Sequence, residues 1–204
     1  NISSRINLHS LYSQNKQGWF PWVCKQCNIH SGMRILELGC GDGALWTQNI
    51  RLLPEDISVT LSDLSSGMLR DARRAIGPDD TRFSFEVFDC SQIPYEDNRF
   101  DLVIADHVLF YCEDIPAVCN EIQRILVPGG RLVCSTYGSH HMQEVSQLVQ
   151  DFDNRIVLSA DKLYERFGRE NGAEILKPYF SRIFWESYND SLIVPDAEPL
   201  ISYI

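Results

Sequence analysis

Hydrophobic and polar positions along the chain fall into short apolar runs separated by segments of helical period. The run Arg34–Leu38 predicts a first strand, stopped by Gly39, and a helix is expected from about Ala44 to Leu53, ended by Pro54. Val59–Leu61 predicts a second strand closing on Ser62-Asp63. Ser65 is placed to cap a helix in which Met68, Leu69, Ala72, Ala75 and Ile76 share a face, and Gly77-Pro78 to end it. Phe83–Phe88 and Phe100–Ala105 predict the third and fourth strands. Asp114 then caps a helix presenting Ile115, Val118, Cys119, Ile122, Ile125 and Leu126. Pro128-Gly129-Gly130 turns the chain into a fifth strand at Arg131–Thr136.

Strands that alternate with helices imply an α/β fold, a doubly wound and mostly parallel sheet between two helical layers. Beyond residue 137 the pattern thins. It predicts a helix near His141–Phe152, a polar helix near Ala160–Asn171 and strands near Arg182–Tyr188 and Leu192–Val194. A last helix follows Pro195-Asp196, and the sequence stops within it at Ile204. There is no repeat or linker, so residues 1–204 read as one domain: a helical cover (1–33), a core (34–137) and a C-terminal part (138–204).

Composition narrows the class. A formal net charge of −10 argues against a broad nucleic-acid surface, which needs clustered Lys and Arg. No run approaches the roughly 20 apolar residues of a membrane span, and no signal peptide is read at the start. Seven scattered cysteines suit reduced thiols in a cytoplasm better than a disulfide framework. Cys24-x-x-Cys27-x-x-His30 invites a zinc reading, but no second cysteine pair completes it, so no metal is expected.

The candidate chemistry sits at Glu37-Leu38-Gly39-Cys40-Gly41-Asp42-Gly43, a Gly-rich turn from strand to helix. On spacing alone the turn also fits a dinucleotide fingerprint, with Asp63 as the ribose-binding acid in either reading. Charge separates the two. A pyrophosphate would meet Glu37 and Asp42, whereas a ligand with an ammonium and a sulfonium is attracted by Glu37, Asp42, Asp63, Asp89 and Asp106 at the strand ends. A nicotinamide oxidoreductase is therefore disfavoured.

These blocks, with Leu61–Leu69, Asp89–Tyr95, Asn98–Val103, His107–Asp114 and Glu121–Gly130, closely resemble the ubiquinone/menaquinone-biosynthesis-like (methyltransferase type 11) branch of class I S-adenosylmethionine-dependent methyltransferases. The resemblance covers about Arg34–Tyr137 and implies a Rossmann-like fold, with S-adenosylmethionine as cofactor and S-adenosylhomocysteine as product. It implies that the backbone of Gly39, Cys40 and Gly41 passes under the methionine part, with Glu37 reaching its amino group through water. Asp63 would bind the ribose hydroxyls, and Leu64 and Met68 would pack on the adenine. Asp89 would accept from the adenine amino group, and the Cys90 backbone would meet the ring. Ala105 and Asp106 would border the methionine amino group and the methyl. Tyr12 is the candidate ligand contact in the N-terminal cover, whereas Trp19, Phe20 and Trp22 read as core staples.

Methyl transfer needs alignment and dryness more than a special nucleophile. His107 is the one candidate base, and a structural histidine is the competing reading. Relatives often carry histidine where Tyr111 stands, so Tyr111 is read as lining the acceptor pocket; His140-His141-Met142 reads as a helix start. The expected function is methyl transfer to a small-molecule acceptor, the alternative a non-catalytic S-adenosylmethionine-binding or regulatory module. Relatives end on an antiparallel pair at the sheet edge. The last strand is missing here, so a truncated C-terminal part and a homodimer through the open edge are expected.

Overall fold

A computed structural model describes residues 8–155 and 162–203. Five strands form one parallel sheet in the order β3-β2-β1-β4-β5. They are β1 (Arg34–Leu38), β2 (Ser58–Asp63), β3 (Phe83–Val87), β4 (Phe100–Ala105) and β5 (Leu126–Cys134). Around them lie α1 (Trp19–Cys27), α2 (Ala44–Thr47), α3 (Ser66–Ile76), α4 (Ile115–Ile125), α5 (Gln143–Phe152), α6 (Leu163–Arg166), α7 (Gly172–Leu176) and α8 (Ala197–Tyr203).

The apolar runs are strands because both sheet faces are covered, and successive side chains feed opposite layers. Ile35, Val59, Leu61, Leu102 and Ile104 pack with Val23 and Cys27 of α1, Trp46 of α2 and Leu69 of α3. Leu36, Leu38, Val103 and Ala105 pack with Val118, Cys119, Ile122 and Ile125 of α4. This is the expected three-layer, doubly wound arrangement. The strand register is pinned at the base of the sheet, where Arg34 clasps Asp101 with its backbone N at 2.8 Å, Nε at 3.0 Å and Nη2 at 3.1 Å.

Helix ends follow their caps. Ser65 Oγ accepts from Met68 N at 3.3 Å to open α3, and Asp114 Oδ1 accepts from Ala117 N at 2.9 Å to open α4. No helix among the described residues is long and apolar enough to cross a membrane.

Several expectations are corrected. The helix expected over Ala44–Leu53 is broken: α2 stops at Thr47, and a 3-10 turn, Ile50–Leu52, completes the crossover. Asn49 divides the two, its buried amide donating to Leu45 O at 2.7 Å and Phe20 O at 3.3 Å. The fifth strand begins at Leu126 and ends at Cys134, so Pro128-Gly129-Gly130 lies inside it; a register shift against β4 absorbs the irregularity. No strand forms over Arg182–Tyr188, and the expected strand at Leu192–Val194 is a single antiparallel bridge, Ser13 to Leu192. Of the polar helix expected at Ala160–Asn171, residues 160–161 lie outside the described residues and only α6 forms in the remainder. α8 occupies the place expected for the last helix.

Candidate functional site

β1 pairs β2 on one side and β4 on the other, so the chain leaves the sheet in opposite directions at its C-terminal end. That switch point opens a crevice, the usual ligand position in a doubly wound sheet. The turn after β1 lines it. Gly39 has φ +65° and would place a Cβ 2.5 Å from Val108 Cγ2, so only glycine allows the loop to lie against the segment after β4. Gly41, at φ +56°, has no atom of the described residues within 4 Å of the Cβ position, which leaves room for a ligand against its backbone.

The loop is fastened to β2. Cys40 N donates to Ser62 O at 2.9 Å, and Gly41 N donates to Asp63 Oδ2 at 3.1 Å. The other oxygen, Asp63 Oδ1, accepts from Ser65 N at 2.8 Å. Each carboxylate oxygen keeps a further lone pair. Beside Asp63, Leu64 and Met68 are exposed, at 70% and 38%. Cys40 is buried, and burial pushes its thiol well above the ordinary range, which fits a packed slot and not a nucleophile.

Glu37 behaves unlike the other acids of the set. It is 2% exposed, Trp46 Nε1 donates to its Oε2, and Ser62 Oγ donates to its backbone carbonyl at 2.9 Å. Burial, reinforced by Asp106, Asp63 and Asp42, pushes its pKa up to about 8 against the Trp46 hydrogen bond. In the unliganded protein Glu37 is therefore mostly neutral at pH 7, and the negative lining rests on the other acids. Asp42 Oδ1 accepts from the backbone N of Ala44, the first residue of α2, at 3.1 Å. Asp89 is exposed, and its Oδ1 accepts from Ser91 N at 2.8 Å; the Ser91 amide and hydroxyl hold the carboxyl below its usual range.

Past β4, Ala105 is buried and Asp106 is bound on both oxygens. Trp19 Nε1 donates to Oδ2 at 3.1 Å, and Ser135 Oγ donates to Oδ1 at 2.5 Å. Trp19 thus joins the N-terminal cover to Asp106 while also packing on the core, so its favoured reading as a core staple describes only one of its two contacts. His107 follows, with φ +56° and its backbone N donating to Ser135 Oγ at 2.9 Å. Its ring stacks on Trp19 at 5.0 Å, and neither ring nitrogen has a hydrogen-bond partner among the described residues. Burial pushes its pKa down and Asp106 pushes it up, with burial the stronger.

An aromatic wall extends from His107 through Phe110 and Tyr137 to His141, with ring centroids 5.9, 5.3 and 5.1 Å apart in turn. Tyr188 meets the Trp19 ring edge-on at 5.2 Å. Tyr12 is half-buried, and its carbonyl accepts from Ile193 N at 3.1 Å, so its segment is tied to the strip carrying Tyr188. Tyr111 is 65% exposed and packs on Phe110 at 4.7 Å. The contribution of Tyr188 had no local signal, because the contact joins positions far apart in the chain.

Residues 36–134 match the family model described as a methyltransferase domain. The biotin biosynthesis bifunctional protein BioHC of Saccharophagus degradans is 33% identical over 135 residues, covering 66% of this chain and 23% of that protein. The demethylmenaquinone methyltransferase of Symbiobacterium thermophilum is 31% identical over 118 residues, 57% of this chain and 47% of that enzyme. The chain therefore spans about half of the latter and about a quarter of the former. A crystal structure of an S-adenosylmethionine-dependent methyltransferase from Mesorhizobium loti superposes with a TM-score of 0.52 at 31% identity, covering 60% of this chain and 55% of that one. The family match and the sheet order agree: residues 36–134 are similar to a methyltransferase domain, and the five strands have the order of a Rossmann-like doubly wound sheet.

Proposed function

We propose that this domain binds S-adenosylmethionine across the Gly39–Gly43 turn and transfers its methyl group to a small-molecule acceptor. The observation that carries the reading is the Gly41–Asp63 hydrogen bond of 3.1 Å, which makes the open loop and the ribose-side acid one preorganised edge. The residues suit the group. Open space over Gly41 admits the ligand to the backbone, Asp63 retains lone pairs for two hydroxyls, and exposed Leu64 and Met68 offer an apolar face to a flat ring. In this reading Asp89 and the Cys90 backbone serve the far end of the adenine, and Glu37 serves the methionine end.

The bound cofactor supplies a methyl group already activated by its sulfonium. The protein's share is position and dryness. Asp106, fixed by Trp19 and Ser135, presents a carboxylate beside the loop, where positive charge is stabilised. The ring wall of Trp19, His107, Phe110 and Tyr137 excludes water and offers stacking surfaces. His107, its pKa pushed down by burial and its ring nitrogens without a hydrogen-bond partner among the described residues, is suited to take a proton from a hydroxyl acceptor.

Seven free thiols suit a reducing cytoplasm, and the outer edge of β5 has no strand partner among the described residues, which favours a homodimer there. Sedimentation showing only monomer at high concentration would remove the dimer.

Titration of S-adenosylhomocysteine into the protein and its Asp63→Ala variant tests the site. At least a tenfold loss of affinity is expected, or about 1.4 kcal/mol; equal affinity would exclude the proposed ribose contact. Binding without turnover on any hydroxyl, amine or carbon acceptor would favour a regulatory module instead.

A further inference from the structure

Outside the loop and the ring wall, the structure brings two thiols together. Cys90 Sγ and Cys112 Sγ lie 3.4 Å apart, one in the turn after β3 and the other closing the 3-10 turn Leu109–Tyr111 after β4. They share no element, so the proximity is set by the tertiary fold. We propose that Cys90 and Cys112 are a redox-active thiol pair which a small hydroperoxide converts to a disulfide, and that the disulfide weakens cofactor binding.

The surroundings single this pair out. Cys112 is held below the ordinary thiol range, chiefly by the Cys90 hydrogen bond and also by the Arg166 guanidinium; burial, Asp89 and Cys119 oppose this. Arg166 is anchored there by donating through Nη2 to Cys112 O at 2.5 Å. Burial works the other way elsewhere, pushing Cys24, Cys27 and Cys40 up, Cys119 to about 11 and Cys134 to about 12. Those five thiols stay protonated and unreactive near neutral pH, whereas in the pair the shared hydrogen bond pushes Cys112 down and Cys90 up, which makes Cys112 the attacking sulfur and leaves Cys90 as the thiol. Cys112 is 9% exposed and Cys90 is half-buried, which admits a molecule the size of hydrogen peroxide.

The steps balance. The Cys112 thiolate attacks a peroxide oxygen, the O–O bond breaks, and a sulfenic acid forms with release of hydroxide. The Cys90 thiol then attacks that sulfur, the S–O bond breaks, and water leaves with the disulfide in place. Overall, two thiols are oxidised and one peroxide is reduced to two waters. Closing the pair to the roughly 2.05 Å of a disulfide draws the Asp89-Cys90 turn toward the 3-10 turn. The second half of the proposal rests on the cofactor reading above, in which that turn borders the adenine.

The test treats the folded chain with hydrogen peroxide, blocks free thiols and analyses non-reduced peptides by mass. A Cys90–Cys112 cross-linked peptide lacking two hydrogens, reversed by dithiothreitol, is expected. Cys90→Ser should instead leave a sulfenic acid at Cys112 that dimedone traps, and Cys112→Ser should leave no cross-link. Independent alkylation of both thiols after peroxide treatment, with the fold intact by circular dichroism, would overturn the pair. Calorimetry then compares oxidised and reduced chain with S-adenosylhomocysteine, and at least threefold weaker binding is expected after oxidation. Equal affinity would overturn the coupling. A reduced chain that binds nothing would instead condemn the cofactor reading and leave the disulfide standing.

Discussion

Glu37 shows how a single position was half legible. Its place before the glycines marked it as a ligand-side acid, but its protonation is set by burial and by Trp46, nine residues onward on the neighbouring helix. A folded-state pKa of about 8, above the ordinary 4.5, means the native state holds a proton that the unfolded chain releases. That contribution is complete below pH 4.5 and is lost as pH rises through about 8. Glu37→Gln is expected to flatten the fall in Tm over this window; an unchanged pH profile would contradict it. A ligand ammonium nearby favours the carboxylate, so cofactor binding at pH 7 should release protons. Calorimetry in buffers of different ionisation enthalpy measures that release, and no buffer dependence would place the ammonium away from Glu37. Gly39 is simpler. Gly39→Ala meets both a positive φ and Val108, and is expected to destabilise the fold by about 1–3 kcal/mol in denaturant titration.

At the scale of elements, the strands were legible where both faces are buried, because a continuous apolar run bounded by a turn has few other solutions. Arg34–Leu38 and Phe100–Ala105 appear at the boundaries the sequence suggests. The segment Arg182–Tyr188 also reads apolar, yet Phe184 is 84% and Trp185 48% exposed. Its aromatic residues have no neighbouring strand to pair with among the described residues, and propensity alone does not make a sheet. Caps were legible because the chemistry is local. Ser65→Ala removes the acceptor for Met68 N and is expected to cost about 1 kcal/mol, read as a lower denaturation midpoint with unchanged m-value. Since α3 follows Asp63 directly, the same variant should also weaken cofactor binding; no change in either quantity would contradict the role of this cap.

Across the whole molecule, the first and last parts of the described chain meet. Asp190 accepts from Ser13 Oγ at 2.6 Å, Gln14 N at 3.1 Å and Asn15 N at 3.0 Å, and so holds the strip with Tyr188 against Trp19. Nothing in the local pattern marks Asp190, because its partners lie some 175 positions away. Asp190→Ala is expected to raise amide exchange over residues 12–15 and 188–193 while β1 and β4 remain protected; uniform exchange throughout would show that the clasp governs the entire fold.

The fold and the loop were readable since they depend on neighbouring residues, whereas the proposed acceptor side was not, because Trp19, His107, Tyr137 and Tyr188 come together from distant parts of the chain. The proposed function depends on the ligand that the Gly39–Gly43 turn selects. Calorimetric titration of the reduced protein with S-adenosylmethionine and, separately, with a nicotinamide dinucleotide measures that choice directly. Saturable binding of the sulfonium compound with no heat from the dinucleotide is predicted; firm uptake of the dinucleotide and none of the sulfonium compound would contradict it.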